Sequence, residues 1–226
     1  MDKKNNYRIS KVGEIPLVTG GISEKIIHKN PNDKEDYKEL TALTIGAPVG
    51  DKGSAVMIAK DKILFIGGQQ KGKGYAASNG TIIIDIEDSF NPKIIKKESM
   101  HYPRAFADAT ILPTGNVFVN GGTAVYQGAY DDTYFSNFTP EIYKTNDDIW
   151  KKMSKSNFRR NYHSTSLLLP DGRVFVAGGD VWNAQFFYPP YLFSKDNKGK
   201  INLADRPIIK KINKTINNRK KQNMLV

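Results

Sequence analysis

The feature that most constrains the fold is a repeated unit in which a strand, a tight turn and a second strand end in two glycines. The pairs are Gly67-Gly68, Gly121-Gly122 and Gly178-Gly179, so their first members lie 54 and 57 residues apart. This spacing is close to the kelch period of about 50 residues, in which one repeat forms one four-stranded blade of a β-propeller. A weaker copy of the unit ends at Gly20-Gly21.

The residues between the glycine pairs favour the same fold. Residues 113–115 (Pro-Thr-Gly) and 170–172 (Pro-Asp-Gly) are typical of tight hairpin turns, because proline fixes φ and glycine accepts a positive φ. Apolar runs such as residues 174–177 suit strands buried between neighbouring blades. We therefore predict an all-β chain of about two and a half to three kelch-type blades, an incomplete propeller, since closed propellers typically have about 4–8 blades.

Composition excludes several function classes. The formal net charge is +11, but seven positive charges and no acid follow Asp205, so the rest of the chain carries only +4. Such a basic tail is typically solvated, and no interleaved aromatic platform accompanies it, so we expect no nucleic-acid partner. No apolar run approaches the roughly 20 residues that span a bilayer, so we expect no membrane partner. The absence of cysteine excludes disulfides, thiolate metal sites and cysteine nucleophiles.

Tyr162 and His163 place a phenol and an imidazole side by side just before a strand. Adjacent side chains on a strand point to opposite faces, so both can reach one ion only where the chain bends or ends. Imidazole with an anionic oxygen suits Cu(II) better than it suits calcium or magnesium. The dipeptide therefore raises the hypothesis of a metal site. The alternative is structural, with Tyr162 at a blade edge and His163 as a hydrogen-bonded imidazole.

The residues around this dipeptide resemble a known family. Residues 160–175, Arg-Asn-Tyr-His-Ser-Thr-Ser-Leu-Leu-Leu-Pro-Asp-Gly-Arg-Val-Phe, closely resemble the corresponding stretch of the copper radical oxidases, namely galactose oxidase and glyoxal oxidase. Residues 138–143 are similar to the family's strand that leads into this blade, and residues 183–193 to the segment that leaves the propeller. The resemblance covers roughly residues 43–208.

The resemblance implies roles for three residues. In the family, two tyrosines and two histidines hold one copper ion, and one of the tyrosines is cross-linked to a cysteine. Tyr162 matches the axial tyrosine, which takes the alcohol proton, and His163 matches an equatorial histidine. Tyr130 lies where the family has a substrate-facing aromatic. Because the chain has no cysteine and the family's second histidine belongs to a carboxy-terminal β-sandwich, we expect weak copper binding and no oxidase turnover by this chain.

These observations give a domain plan. Residues 1–42 are interpreted as the remnant of a preceding blade, residues 43–204 as kelch-like blades, and residues 205–226 as a basic tail that truncates the approach to the β-sandwich. The chain would thus be a fragment whose expected partners are the missing blades and the sandwich.

Two functions remain open. In the first, the parent protein oxidises a primary alcohol, a carbohydrate or an aldehyde with dioxygen and releases hydrogen peroxide. In the second, the chain is a non-catalytic kelch module that binds carbohydrate or protein. The localisation also stays open, because the family is mostly secreted but the first residues do not lead into an apolar export-signal core.

Overall fold

The computed structural model describes residues 49–50, 52–69, 76–88, 92–125 and 135–206, together with the backbone of two short strands near the amino terminus. The chain divides into two compact units, Met1–Pro189 and Pro190–Val226. Within the described residues no helix is both long enough and apolar enough to cross a membrane.

Unit one is built from antiparallel sheets in which strands that follow one another in sequence are neighbours. The two short strands that pair near the amino terminus are β1 (Ile26–His28) and β2 (Lys38–Leu40). The first blade contains β3 (Ser54–Ala59), β4 (Lys62–Ile66), β5 (Thr81–Asp85) and β6 (Lys93–Lys97). The second contains β7 (Ala105–Ile111), β8 (Val117–Thr123), β9 (Glu141–Lys144) and β10 (Ile149–Lys152). The third contains β11 (Ser164–Leu168), β12 (Val174–Gly178) and β13 (Ala184–Phe187). The predicted all-β, kelch-type blades are confirmed.

The glycine pairs join each blade to the next. Gly67 and Gly121 have φ values of +64° and +68°, and a Cβ atom there would lie 2.3 Å from the Arg104 carbonyl oxygen and 2.0 Å from the Arg160 carbonyl oxygen, respectively. In the same places the Gly68 and Gly122 amides donate hydrogen bonds to those two carbonyl oxygens, at 2.7 and 2.6 Å. Glycine is therefore required both by the backbone conformation and by the close approach of the following blade.

Blades one and two share a continuous apolar core. Trp150 is 5% exposed, and its indole nitrogen donates to the Glu98 carbonyl oxygen at 2.8 Å, which satisfies its polar atom inside the interface. The first strand of each blade, β3, β7 or β11, lies nearest the common hub, since β7 contacts both β3 and β11. The buried side chains of this core are Leu64, Ile66, Met100, Val117, Val119, Tyr143 and Trp150.

Blades two and three meet through mixed contacts. The rings of Phe118 and Phe187 stack with centroids 4.3 Å apart. Nearer the hub the contacts are polar, because the Thr110 hydroxyl donates to the Ser166 carbonyl oxygen at 3.0 Å. The junction thus changes from apolar packing on the outer strands to hydrogen bonding along the inner strands β7 and β11.

Unit two begins with a short 3-10 helix, Pro190–Leu192, followed by an antiparallel hairpin of β14 (Phe193–Lys195) and β15 (Ile201–Leu203). Gly199, with φ of +80°, lies in the hairpin turn. The domain boundaries proposed from the sequence, at residues 42–43 and 204–205, stay a prediction.

Candidate active site

Tyr162 and His163 form the turn that precedes β11, the hub strand of the third blade. His163 has φ of +61°, an uncommon conformation for a residue with a side chain, and the Ser164 amide donates to the Asn161 carbonyl oxygen at 3.1 Å. The chain therefore bends at the dipeptide, which is the condition under which both side chains can serve one site.

The two rings lie against each other. Their centroids are 3.7 Å apart with planes tilted by 37°. Tyr162 is half-buried and its ring also meets Phe106 of the second blade edge-on, with centroids 5.1 Å apart, whereas His163 is exposed. The structure thus brings together two of the three site residues predicted from the sequence. The third, Tyr130, lies outside the described residues.

Arg160 is a buried side chain that fixes the position of this turn through hydrogen bonds. The residue is 1% exposed, and its guanidinium donates to the Gly178 carbonyl oxygen at 2.8 Å and to the Asn183 side-chain oxygen at 2.5 Å. These bonds tie the turn to the end of β12 and to the start of β13. Burial lowers the pKa of Arg160, but an arginine keeps its charge at any physiological pH.

Asp108 is a polar group of the hub that sequence reasoning missed. It lies on β7, and its carboxylate accepts a hydrogen bond from the Ser164 hydroxyl at 2.6 Å, directly after His163. Burial raises the pKa of Asp108 to about 6, against the opposing effects of the Ser164 hydrogen bond and the Arg160 charge. The available signal was an acid among alternating small residues in the strand Ala-Phe-Ala-Asp-Ala-Thr-Ile.

The donor chemistry of the turn fits copper in type but not in number. A phenol and an imidazole are suitable copper ligands, and the bend places them together. However, the described part of the chain contains no group of three or more His, Cys, Asp or Glu side chains arranged to hold a metal. His101 is committed elsewhere, since its Nδ1 atom lies 2.6 Å from the Glu141 carboxylate. The described residues alone therefore do not fit a complete copper site.

The class of protein follows from this geometry: two four-stranded antiparallel blades and a third of three strands, joined in succession through glycine pairs, define a kelch-type β-propeller protein. Residues 60–196 match the glyoxal oxidase N-terminus family. The chain belongs to that family, and with it to the galactose oxidase- and glyoxal oxidase-like copper radical oxidases.

Individual relatives agree with this assignment. The chain is 35% identical to a galactose oxidase of Gibberella zeae over 175 residues, which cover 72% of this chain and 25% of that protein. It is 32% identical to an aldehyde oxidase of Vitis pseudoreticulata over 151 residues, covering 60% of this chain and 28% of that protein. An aldehyde oxidase of Arabidopsis thaliana is 33% identical over 113 residues, covering 43% and 18%.

A solved structure extends the comparison to the fold. A fungal alcohol oxidase of the AA5 family, in complex with copper, superposes with a TM-score of 0.67 at 25% identity. The match covers 84% of this chain and 40% of the oxidase. The expectation that copper is the cofactor of the family is thereby confirmed. The chain spans about a quarter of the length of the galactose oxidases that it matches.

Proposed function

We propose that this chain carries the Tyr162–His163 half of a copper radical oxidase site, and that the complete protein oxidises a primary alcohol or an aldehyde with dioxygen, releasing hydrogen peroxide. Tyr162 and His163 are the two copper ligands that the segment contributes. The copper ion supplies the redox chemistry when it is bound.

The observation that carries this proposal is the bend just before the first residue of β11. It places the phenol and the imidazole in ring contact, and the buried Arg160 fixes the backbone on both sides. The exposure of His163 leaves its imidazole accessible to an ion, and the partial burial of Tyr162 against Phe106 fixes the direction of its ring. In the reaction, Tyr162 would act as the base: as the phenolate that a bound copper ion would stabilise, its oxygen would take the hydroxyl proton of the alcohol and become the neutral phenol.

The sequence also limits what this chain does alone. It contains no cysteine, so the family's tyrosine–cysteine cross-link cannot form within it. Its other two histidines are His28 and His101, of which His101 is paired with Glu141. We therefore propose that the chain is a fragment of the oxidase and has no turnover by itself.

Calorimetric titration with Cu(II) tests the proposed ligands. The wild-type chain should bind copper weakly, since two protein ligands leave half of a four-coordinate site to water. The substitution His163→Ala should weaken binding about tenfold or more, and Tyr162→Phe should weaken it less. The matched control is His101→Ala, which removes another exposed imidazole and should leave the affinity unchanged.

Equal affinities for the wild type and His163→Ala would refute the assignment of the ligands. A peroxide assay on the copper-loaded chain tests the second part of the proposal separately. We expect no peroxide from galactose or from methylglyoxal. Sustained peroxide release would show that the chain is a complete catalyst, even if the ligands are correctly assigned.

A further inference from the structure

Asp108 is a carboxylate on the inner strand of the second blade, where it faces the third blade. Its neighbours on β7, Ala107 and Ala109, pack against the core that blades one and two share. Because side chains alternate along a strand, Asp108 lies on the opposite face. There its carboxylate accepts the hydrogen bond of the Ser164 hydroxyl at 2.6 Å, between residues 56 positions apart in the chain. One blade thus supplies an acid to the turn of the next.

The interactions of Asp108 lie on both sides of the Tyr162–His163 turn. Ser164 follows the turn directly, and Arg160 precedes it with one residue between. Burial lowers the pKa of Arg160, and the charge of Asp108 opposes that shift. The hydrogen bonds of this guanidinium to a backbone carbonyl and to a side-chain amide go to neutral oxygens. Asp108 therefore supplies an opposite charge to the arginine that fixes the turn.

The hub side of the junction between blades two and three is polar. Asn120 pairs with Asp108 across β7 and β8, so the two side chains share a face of the sheet. Asn120 is 3% exposed, and its side-chain nitrogen has no hydrogen-bond partner in the described part of the chain. Burying a carboxylate and an amide costs free energy that an apolar pair would not. Polar groups at such a position indicate a role other than packing.

A neighbouring contact shows how the same two strands are joined away from the turn. The Thr110 hydroxyl donates to the Ser166 carbonyl oxygen at 3.0 Å. Thr110 and Ser166 each lie two residues further from the turn than Asp108 and Ser164, on the same strands β7 and β11. This second contact is neutral and uses a backbone acceptor. The carboxylate thus occupies the position next to the turn, whereas a neutral hydroxyl joins the blades further along.

We propose that Asp108 is a positioning residue of the proposed copper site. Its carboxylate holds Ser164 on one side of the Tyr162–His163 turn and balances the charge of Arg160 on the other. The phenol and the imidazole thereby keep the mutual orientation that binding to one ion requires. This inference rests on the proposed function, because it concerns how the two proposed ligands are held. It adds a residue of the second blade that does not itself touch the ion.

Cu(II) calorimetry on variants of the full chain tests this role. Ser164→Ala removes the hydrogen bond without changing a charge, and should weaken copper binding up to about tenfold, as should Asp108→Asn. The double variant should bind little more weakly than Asp108→Asn alone, because both substitutions remove one interaction. Ser164→Thr keeps the hydroxyl and should retain the wild-type affinity. The matched control, Thr110→Val, removes the neighbouring contact and should lower stability in urea without changing the copper affinity.

The metal-free chain gives a second readout. A nuclear Overhauser cross-peak between the ring protons of Tyr162 and His163 should be present in the wild type and in Thr110→Val. It should weaken in Ser164→Ala and in Asp108→Asn, because the two rings lose their fixed orientation. A residue that only stabilised the fold would change neither this cross-peak nor the copper affinity of the folded chain.

Wild-type copper affinity and an unchanged cross-peak in Ser164→Ala would overturn the inference and leave Asp108 with a structural role. An equal loss of copper affinity in Thr110→Val would also overturn it, since the loss would then follow stability alone. If Asp108→Asn does not fold, Ser164→Ala decides by the same measurements. Failure of the proposed function is distinguishable, because it appears as equal copper affinities of the wild type and His163→Ala. The cross-peak in the metal-free variants tests the positioning independently of that result.

Discussion

The second and third blades each begin with a short segment, here called a corner: residues 104–106 and residues 160–163. The two corners have similar backbone conformations but different side-chain contacts. Each has a buried arginine, Arg104 or Arg160, that donates to the carbonyl oxygen of the first glycine of its own blade. Each then has a non-glycine residue with positive φ, Phe106 at +59° or His163 at +61°. One residue separates Arg104 from Phe106, whereas Asn161 and Tyr162 separate Arg160 from His163.

The second-blade corner is held together by a buried ion pair. The Arg104 guanidinium also donates to the Thr139 carbonyl oxygen at 2.5 Å and to the Glu141 carboxylate at 3.0 Å, and both side chains are fully buried. The third-blade corner has the neutral Asn183 in place of that carboxylate. The two corners therefore share a backbone arrangement but differ in what holds the arginine: a buried ion pair with Glu141 for Arg104, and a neutral amide, Asn183, for Arg160.

The largest loss of stability should come from breaking the buried ion pair between Arg104 and Glu141 in the second-blade corner. Glu141→Gln leaves the buried Arg104 charge without its carboxylate, which should lower the free energy of unfolding by about 3–5 kcal/mol. The matched substitution at the other corner, Asn183→Ala, removes one hydrogen bond to Arg160 and should cost about 1–2 kcal/mol. Urea unfolding followed by Trp150 fluorescence measures both. Equal losses would show that the two corners do not differ in the way described.

The junction between the corners should be nearly as sensitive. Gly121→Ala places a methyl group against the Arg160 carbonyl oxygen at a φ of +68°, and should destabilise the protein by about 2–4 kcal/mol. Gly115 is the control, because it has φ of +76° but nothing within 4 Å of the added Cβ. Gly115→Ala should cost only about 1 kcal/mol, from backbone strain. Similar losses for the two variants would argue against close contact between the blades.

The polar hub contact of Asp108 should make stability depend on pH. Its pKa is raised to about 6 in the folded protein, above the ordinary value of 3.8, so the folded state holds the proton more tightly. Stability should therefore fall as the pH rises from about 4 to about 6, by a total of the order of 2–3 kcal/mol. Asp108→Asn should remove this component, as seen by subtracting its unfolding free energy from that of the wild type at each pH. A constant difference across this range would contradict the burial of the carboxylate.

The smallest change in stability should come from the direct contact between the two corners, the ring pair of Phe106 and Tyr162. The edge-on pair of Phe106 and Tyr162 should contribute about 0.5–1.5 kcal/mol beyond the area that the rings bury. A double-mutant cycle with Phe106→Leu and Tyr162→Leu measures this coupling in urea unfolding. Strictly additive losses would mean that the two rings do not interact.

The sequence predicted the blades because the glycine pairs encode a backbone conformation and a close approach that other residues do not tolerate. For Tyr162 and His163 it gave only a condition, that the chain must bend or end there for both side chains to reach one ion, and the structure has a bend with φ of +61° at His163. The sequence could not predict the hydrogen bonds by which Arg160 supports this bend, because their acceptors, on Gly178 and Asn183, lie 18 and 23 residues further along the chain.

The account depends on the Tyr162–His163 turn lying at the junction of the second and third blades. The most direct measurement is a nuclear Overhauser spectrum of the chain with labelled phenylalanine and tyrosine rings. We predict cross-peaks between the ring protons of Phe106 and Tyr162, lost in Phe106→Leu. A well-dispersed spectrum of the folded chain in which Tyr162 shows no contact with Phe106 would contradict the account.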